Sequence, residues 1–441
     1  MTEQREGQEA FQALLWSLYG QIDSGADPLQ KIRAKAWEHF LGLGLPSSQN
    51  EVYRYVRLKS FFGNTYEPSQ LVQISSADLD AHILPECRES VLVFINGQFS
   101  AEHSRLSAIP TRVVCDTLSS GMKTYGSFLN NQLVKSLKEE TDPFVAANIA
   151  IHRDGLFLYV PPKTVVEAPI QLLNVIAAQD IPMLVTPRAQ IFVGMQAELS
   201  LVSTQVVLSG NQYAFNMAVE ISVEEDAHVR YVQDACGIQD DIWHFDALRA
   251  TLKRDSTLKT VNVTTGAATT RFDYRAALLG SNAEVVLNGV WMLDHKNEAH
   301  VHVLVDHQAP NCRSMQLFKG TLSGFSRSSF EGKILVRQAA QKTEAFQLNN
   351  NLLLSDRAHA DSKPNLEIFA DDVKASHGAT VGQLDREQIF YMKTRGFSDA
   401  AAKNLLVFGF CQEVIDLISV PSVHDRLRQA AKGYLHTTDQ R

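Results

Sequence analysis

Residues 197–201 read AELSL, 227–231 AHVRY, 256–260 STLKT and 283–287 AEVVL. Each begins with a small residue, adds a polar one, and then alternates apolar, polar, apolar, the third of them imperfectly. The starts lie 27 to 30 residues apart, a period that signals solenoids and propellers. Small residues suit tight corners, and side chains two apart on a strand share a face, so the alternating apolar residues line an interior. From about Gly155 to Gln383 the chain keeps this texture of short alternating strands, without the helices a doubly wound sheet needs. A β-helix or a packed β-sandwich remains.

Helices are expected on both sides. Glu9 to Ile22 carries Phe11, Leu14, Leu15 and Leu18 at helical spacing, and a second run from Pro28 to Leu41 is stopped by Gly42, Gly44 and Pro46. VLVFINGQFSAE, from Val91 to Glu102, reads as a hairpin around Asn96-Gly97. Thr117 to Thr141 reads as mixed and exposed. After Gln383, Asp385 to Gln388 forms a capping-box pattern, Gly396 closes that helix and Ser398 caps the next. The helix from about Asp399 to Ile418 carries Leu405, Leu406, Val407, Phe408, Phe410, Val414, Ile415, Leu417 and Ile418. That arc is too wide for a simple surface helix, so it packs on several sides, against its own domain or another chain. The expected division is 1–145, helical and mixed; 146–384, the β core; and 385–441, a C-terminal helical region.

With 441 residues, 45% of them hydrophobic, the chain can build a large core. Its net charge of -8 argues against nucleic acid as the main partner, since phosphate binding relies on concentrated Lys and Arg. No apolar run approaches the roughly 20 residues of a membrane helix, and MTEQREGQEA lacks the layout of a secretory signal. The five cysteines, Cys87, Cys115, Cys236, Cys312 and Cys411, include no CxxC pair. They read as reduced, buried thiols in a cytoplasmic protein. Gly332-Lys333 is followed by Ile334 and fails the P-loop pattern, and no GxGxxG, GxSxG or HExxH occurs, so the chain is not expected to bind nucleotide or hydrolyse ATP alone.

Two histidine clusters could carry chemistry. His300-Val-His302, with Asp306 and His307 downstream, resembles a cupin metal motif. On a strand His300 and His302 share one face, opposite Val301, Val303 and Val305, and the plainer reading is a solvated polar face. The segment SDRAHADSKPNLEIFADDVKASHGATVG, residues 355–382, gathers Asp356, His359, Asp361, Glu367, Asp371, Asp372 and His377. Imidazole and carboxylate can hold iron or take up a proton near neutral pH; such residues also serve as turn-formers and strand-face polars.

LEIFADDVKASHGATVG followed by QIFYMKTRGF resembles the SufB/SufD family of iron–sulfur assembly proteins, as do FEGKILVRQAAQKTEAFQLNNNLLLS and VDHQAPNCRSMQLFKG upstream. LGLPSSQNEVYRY near the N-terminus is similar more loosely. Where the SufB branch carries a cysteine, Asn349 to Leu354 holds only Asn and Leu, and the Asp371-Asp372 pair with His377-Gly378 follows the SufD branch. Ala375 departs from relatives that have cysteine there, which leaves His377 as the principal candidate. The resemblance implies a right-handed parallel β-helix flanked by helices, and a scaffold rather than an enzyme. It implies a heterodimer with SufB, and binding of the SufC ATPase through C-terminal helices carrying Leu405, Phe408, Phe410 and Val414. A nascent Fe–S cluster or iron would be shared transiently at the SufB interface near His377, Asp371, Asp372, Glu367 and His359, with His377 as the metal-contacting residue. The other readings are an architectural partner without cluster contact, an oxygenase using His300 and His302, and a polysaccharide enzyme, for which a paired acidic site is lacking. Exposed sheet edges could also pair two copies when the chain is alone.

Overall fold

One residue in the left-handed region sets each corner of the repeat. Gln196, Asp226, Asp255, Asn282, Asn311 and Lys342 all have φ between 56° and 61°, and each is followed by a fully buried small residue: Ala197, Ala227, Ser256, Ala283, Cys312 and Thr343. The computed structural model describes residues 2–22, 27–47, 50–70, 72–177, 182–210, 212–239 and 241–438. Corners stack through the backbone: Asp226 N–H donates to Arg254 O, Asp255 N–H to Ser281 O, and Asn311 N–H to Gln341 O. The repeat read at four places thus continues through two more corners, hidden because Cys312 and Thr343 stand where the other four have Ala or Ser.

Each turn contributes one strand to each of two sheets, giving a parallel β-solenoid of about seven turns in a mainly β protein. The first sheet ends in Arg327–Val336 and His359–Ile368, the second in Thr343–Leu353 and Val373–Gly382. Both begin on strands of the N-terminal region. Val91–Ile95 joins the second sheet parallel to Ile170–Ala177, and Gln98–Arg105 folds back antiparallel through the Asn96-Gly97 turn, where both residues have positive φ. Val114–Thr117 closes the first sheet antiparallel to Leu156–Val160. Strand pairing links the two sides of the expected boundary at 145/146, and the helix Pro143–Ile151 runs across it.

Nine helices are described: α1 (Thr2–Ile22), α2 (Gln30–Leu43), α3 (Leu58–Phe62), α4 (Ser76–Asp80), α5 (Leu118–Glu139), α6 (Pro143–Ile151), α7 (Arg386–Thr394), α8 (Asp399–Ile415) and α9 (Pro421–Thr438). α5 replaces the mixed segment expected there. Gly121 and Gly126 and the serines around them weaken the helical signal, but Leu129, Leu133 and Leu137 form a buried i, i+4 stripe, and Thr117 Oγ1 caps the helix by accepting from Ser120 N–H at 3.1 Å. Of the capping box at α7, Asp385 accepts from Glu387 N–H, and Ser398 caps α8 as expected. Ser48 and Gln49 of the N-terminal Gly-Leu-Pro segment lie outside the described residues.

The helices cover the outer faces of the two sheets. α3 and α6 pack on the first sheet, Phe61 against Trp243 and Phe245 and Phe144 against Phe245, with α1 laid over them through Phe11 and α2 packed on α6 and, through Trp37, on Tyr19 of α1. α8 and α9 pack on the second through Val407, Val414, Ile415 and Leu427 against Val232, Val261, Val263 and Val290. Beneath the N-terminal layer lies a buried ionic cluster. Arg249 reaches Glu140 at 2.7 Å and Asp273 at 2.6 Å, Arg271 reaches Asp142 at 2.9 Å and Asp273 at 2.7 Å, and Arg275 reaches Glu140 at 3.2 Å. Tyr53 OH donates to Asp142 at 2.6 Å. Three carboxylates thus face three guanidiniums, which is what lets so much charge stay dry. Although burial opposes it, the neighbouring arginines hold the Glu140 carboxyl down at about 2.

Inside the solenoid the packing is mostly apolar, with a polar patch where His244 and Asp246 face Tyr231 and Gln233. Burial alone pushes His244 down to about 3, and burial pushes Asp246 up to about 7.

Two outcomes follow. Asp273→Asn leaves the arginines undercompensated and should cost about 3–5 kcal/mol in chemical denaturation; a loss below 1 kcal/mol would show that the cluster adds nothing. Because the folded-state pKa of Asp246 is raised, its own contribution to stability falls as pH climbs from about 4 to 7, against the opposite contribution of the lowered His244 and His307, and Asp246→Asn should remove the Asp246 contribution. Relative to the unsubstituted chain, the variant should gain on the order of 4 kcal/mol between pH 4 and pH 8, read from melting curves of both chains across pH.

Candidate functional site

At the end remote from the antiparallel strands the solenoid stops without a cap. His359–Ile368 and Val373–Gly382 are the last strands of their sheets, each paired on one side only. Their free edges lie side by side with exposed apolar residues: Ile368 and Phe369 at the connecting turn, Val381 on the last strand, and Phe346 and Leu348 on the strand before it. Unpaired N–H and C=O groups bordered by apolar side chains make a template for another strand.

The polar residues of 355–382 are carried to this end but spread over three places. His359 and Glu367 lie on the outer face of the first sheet, in register with Arg327 and Leu335. His359 is tied to Asp361 at 3.2 Å and Glu367 to Lys333 at 2.5 Å. Asp371 and Asp372 are exposed in the turn, where Asp372 N–H donates to Gln341 Oε1 at 3.0 Å. His377 is exposed on the last strand, in register with Gln347. It belongs to the inward-facing set, since Val373 and Ala375 on the same strand pack on Ala345 and Ile334 inside, while Gly378 faces Leu348 outside. The five residues do not converge, and among the described residues no three His, Cys, Asp or Glu side chains form a metal-binding group.

The other histidine cluster is not the solvated face expected. Val301, Val303 and Val305 do line the interior, but His300 is buried between Ser329 Oγ at 2.7 Å and Glu298 at 3.2 Å. His302 binds Asp273 at 3.0 Å, and His307 turns inward to Ser314 Oγ at 2.8 Å, pushed down to about 4 by burial. The N-terminal layer, invisible to strand periodicity, covers this face. Gly332-Lys333 lies within the strand Arg327–Val336 and not in a loop. In the stretch Asn349 to Leu354, Asn351 Nδ2 donates to Asn349 Oδ1 at 2.9 Å inside the solenoid.

The C-terminal residues divide differently from their pattern. Leu405 is 48% exposed and Phe408 and Phe410 are half-buried, Phe410 beneath the Lys319 ammonium at 4.6 Å. Val414 is fully buried against the second sheet and offers no surface. The outward apolar surface lies instead on α7, which has no buried residue, and at its junction with α8: Phe390 is 69% and Tyr391 58% exposed, with Phe397 nearby. The signal that could have located this surface is the run Ile389 to Met392, since four consecutive apolar residues on a short helix cannot all face inward. A groove of about 820 Å³ runs between α7 and the solenoid corners, lined by Phe325, Leu354, Ile389, Phe390 and Lys403.

No cysteine is a poised thiolate. Burial pushes Cys87, Cys115, Cys236 and Cys411 up to about 12 and Cys312 to about 11. A thiol reagent at pH 8 should therefore find no fast-reacting group on the native chain, against five after denaturation; one fast native thiol would contradict this burial.

Residues 174–410 match the family model "SUF system FeS cluster assembly, SufBD core domain", and residues 11–172 match "SufBD protein N-terminal region". The chain is 29% identical over 398 residues to an iron–sulfur cluster assembly SufBD family protein of Synechocystis, covering 88% of this chain and 87% of that one. It is 29% identical over 433 residues to the chloroplastic protein ABCI7 of Arabidopsis thaliana, covering 93% and 87%. To the iron–sulfur cluster assembly protein SufD of Escherichia coli it is 33% identical over 224 residues, half of this chain and 52% of that one.

Proposed function

Since the chain belongs to the SufBD family of iron–sulfur cluster assembly proteins, we propose that it is a non-catalytic scaffold that pairs with a SufB-type chain at its open end and carries a SufC-type ATPase on α7 and the start of α8. The observation that carries this reading is the uncapped end, where two free strand edges and an apolar rim sit beside His377. Strand addition supplies backbone hydrogen bonds across such an edge, and the rim supplies apolar burial. A second copy could occupy the same edge when no partner is present.

His377 would meet the nascent cluster or iron at that junction, as ligand or proton acceptor, with further ligands coming from the partner. Energy would come in trans, from an ATPase held against Phe390, Tyr391, Phe397 and Leu405. Phe408, Phe410 and Val414 serve the docking of α8 on its own sheet. Five unpaired thiols suit a reducing compartment, the cytoplasm. The scatter of His359, Glu367, Asp371 and Asp372 over separate faces favours a second reading, in which the chain shapes its partner without touching the cluster.

Co-expression with SufB-type and SufC-type partners tests this. The three chains should co-purify; Phe390→Asp with Leu405→Asp should lose only the ATPase, and Thr380→Pro in the edge strand only the SufB-type chain. Failure of the wild-type chains to associate would sink the scaffold reading. His377→Ala should leave the complex whole but lower cluster formation by about a hundredfold if the ring moves protons; full cluster formation would leave the architectural reading.

A further inference from the structure

One inward-facing column of the second sheet runs Leu287, Gln316, Gln347, His377 on four successive strands, in register throughout. Parallel neighbours stand about 4.8 Å apart, so each side chain in the column lies against the next. Gln347 is 3% exposed, and its Nε2 donates to Gln316 Oε1 at 2.8 Å. That bond fixes the amide with Oε1 on the other side, and this oxygen is buried without a partner. The next residue in the column is His377.

The opposing sheet is shaped around the same amide. Gly332 faces it, and a Cβ there would stand 2.1 Å from Gln347 Nε2. Any side chain at 332 would displace the amide from the column. The neighbouring asparagines do not compete: Asn351 donates to Asn349, and Asn349 Nδ2 donates to Phe318 O at 3.3 Å. His359, the other imidazole at this end, is held by Asp361 on the outer face and does not enter the column.

We infer that Gln347 is a positioning residue for His377. A turn of the exposed His377 ring onto this unpartnered oxygen lets Oε1 accept the imidazole N–H, which fixes one tautomer and one ring orientation. The other ring nitrogen then keeps its lone pair and points out of the solenoid mouth. A histidine that binds iron or accepts a proton needs this: a second hydrogen bond selects which nitrogen is available and makes it more basic. Gln316 acts one strand further in, holding Gln347. The functional part of the inference rests on the proposal that His377 meets the cluster at the partner interface.

The test uses the full chain labelled with ¹⁵N in its histidine rings, at pH 8, with the His377 signals identified by their loss in His377→Ala. The wild-type ring should populate one neutral tautomer. Gln347→Met keeps the length of the side chain but removes the acceptor, and should give both tautomers in a chain that still associates with its partners. Cluster formation in that complex should fall about tenfold, the usual cost of losing such a supporting hydrogen bond. Gln347→Glu should restore the single tautomer, and it carries the test if the methionine variant fails to fold. A mixed tautomer in the wild type, or one unmoved in Gln347→Met, would overturn the inference. If the tautomer follows residue 347 while His377→Ala still forms clusters normally, the positioning stands and the cluster-contact proposal falls.

Discussion

Every strand of this molecule depends on the strand beside it for its backbone hydrogen bonds. In a parallel solenoid those bonds run from turn to turn, so no turn is complete until another lies against it. The left-handed corners extend the same dependence outside the sheets, as the N–H of one corner donates to the chain of the next. At the N-terminal end the demand is met by strands that reverse direction, Gln98–Arg105 and Val114–Thr117. At the other end it is left open, and His377 lies exposed on the last strand there. The asymmetry between a closed and an open end is the basis of the functional reading.

The two outer faces are covered by opposite ends of the chain through different physics. The N-terminal layer is keyed by charge, with Glu140 and Asp142 entering among Arg249, Arg271 and Arg275. Such a joint is specific in position, since any displacement leaves buried charges unpaired. The C-terminal layer is held mainly by apolar contact, with Lys319–Glu413 and Asp234–Arg426 as ion pairs across it. Contacts of that kind tolerate small shifts. The layer proposed to carry an ATPase therefore rests on the joint with fewer buried charges.

Much of this was legible in the residues. Ala197, Ala227, Ser256 and Ala283 mark four corners, each a small side chain fully buried just after a left-handed residue. Asn96-Gly97 and Ser398 did what their chemistry favours. What stayed hidden depended on long-range packing. The N-terminal layer turned His300 and His302 from a wet face into a buried one. The second sheet claimed Val414, and α5 formed over a stretch whose glycines argue against a helix. His377 was singled out by its motif, but its inward direction follows only from its register with Gln347 and the packing of Ala375.

Because each turn repeats the same corner and pairs only with its neighbours, the solenoid is also a ruler. Its length is the number of turns multiplied by the strand spacing of about 4.8 Å. A relative that gains or loses one unit of some thirty residues keeps both ends chemically intact and changes only the distance between them. How far the open end stands from the closed one is thus set digitally, by counting turns, while the chemistry at the tip can be tuned on its own.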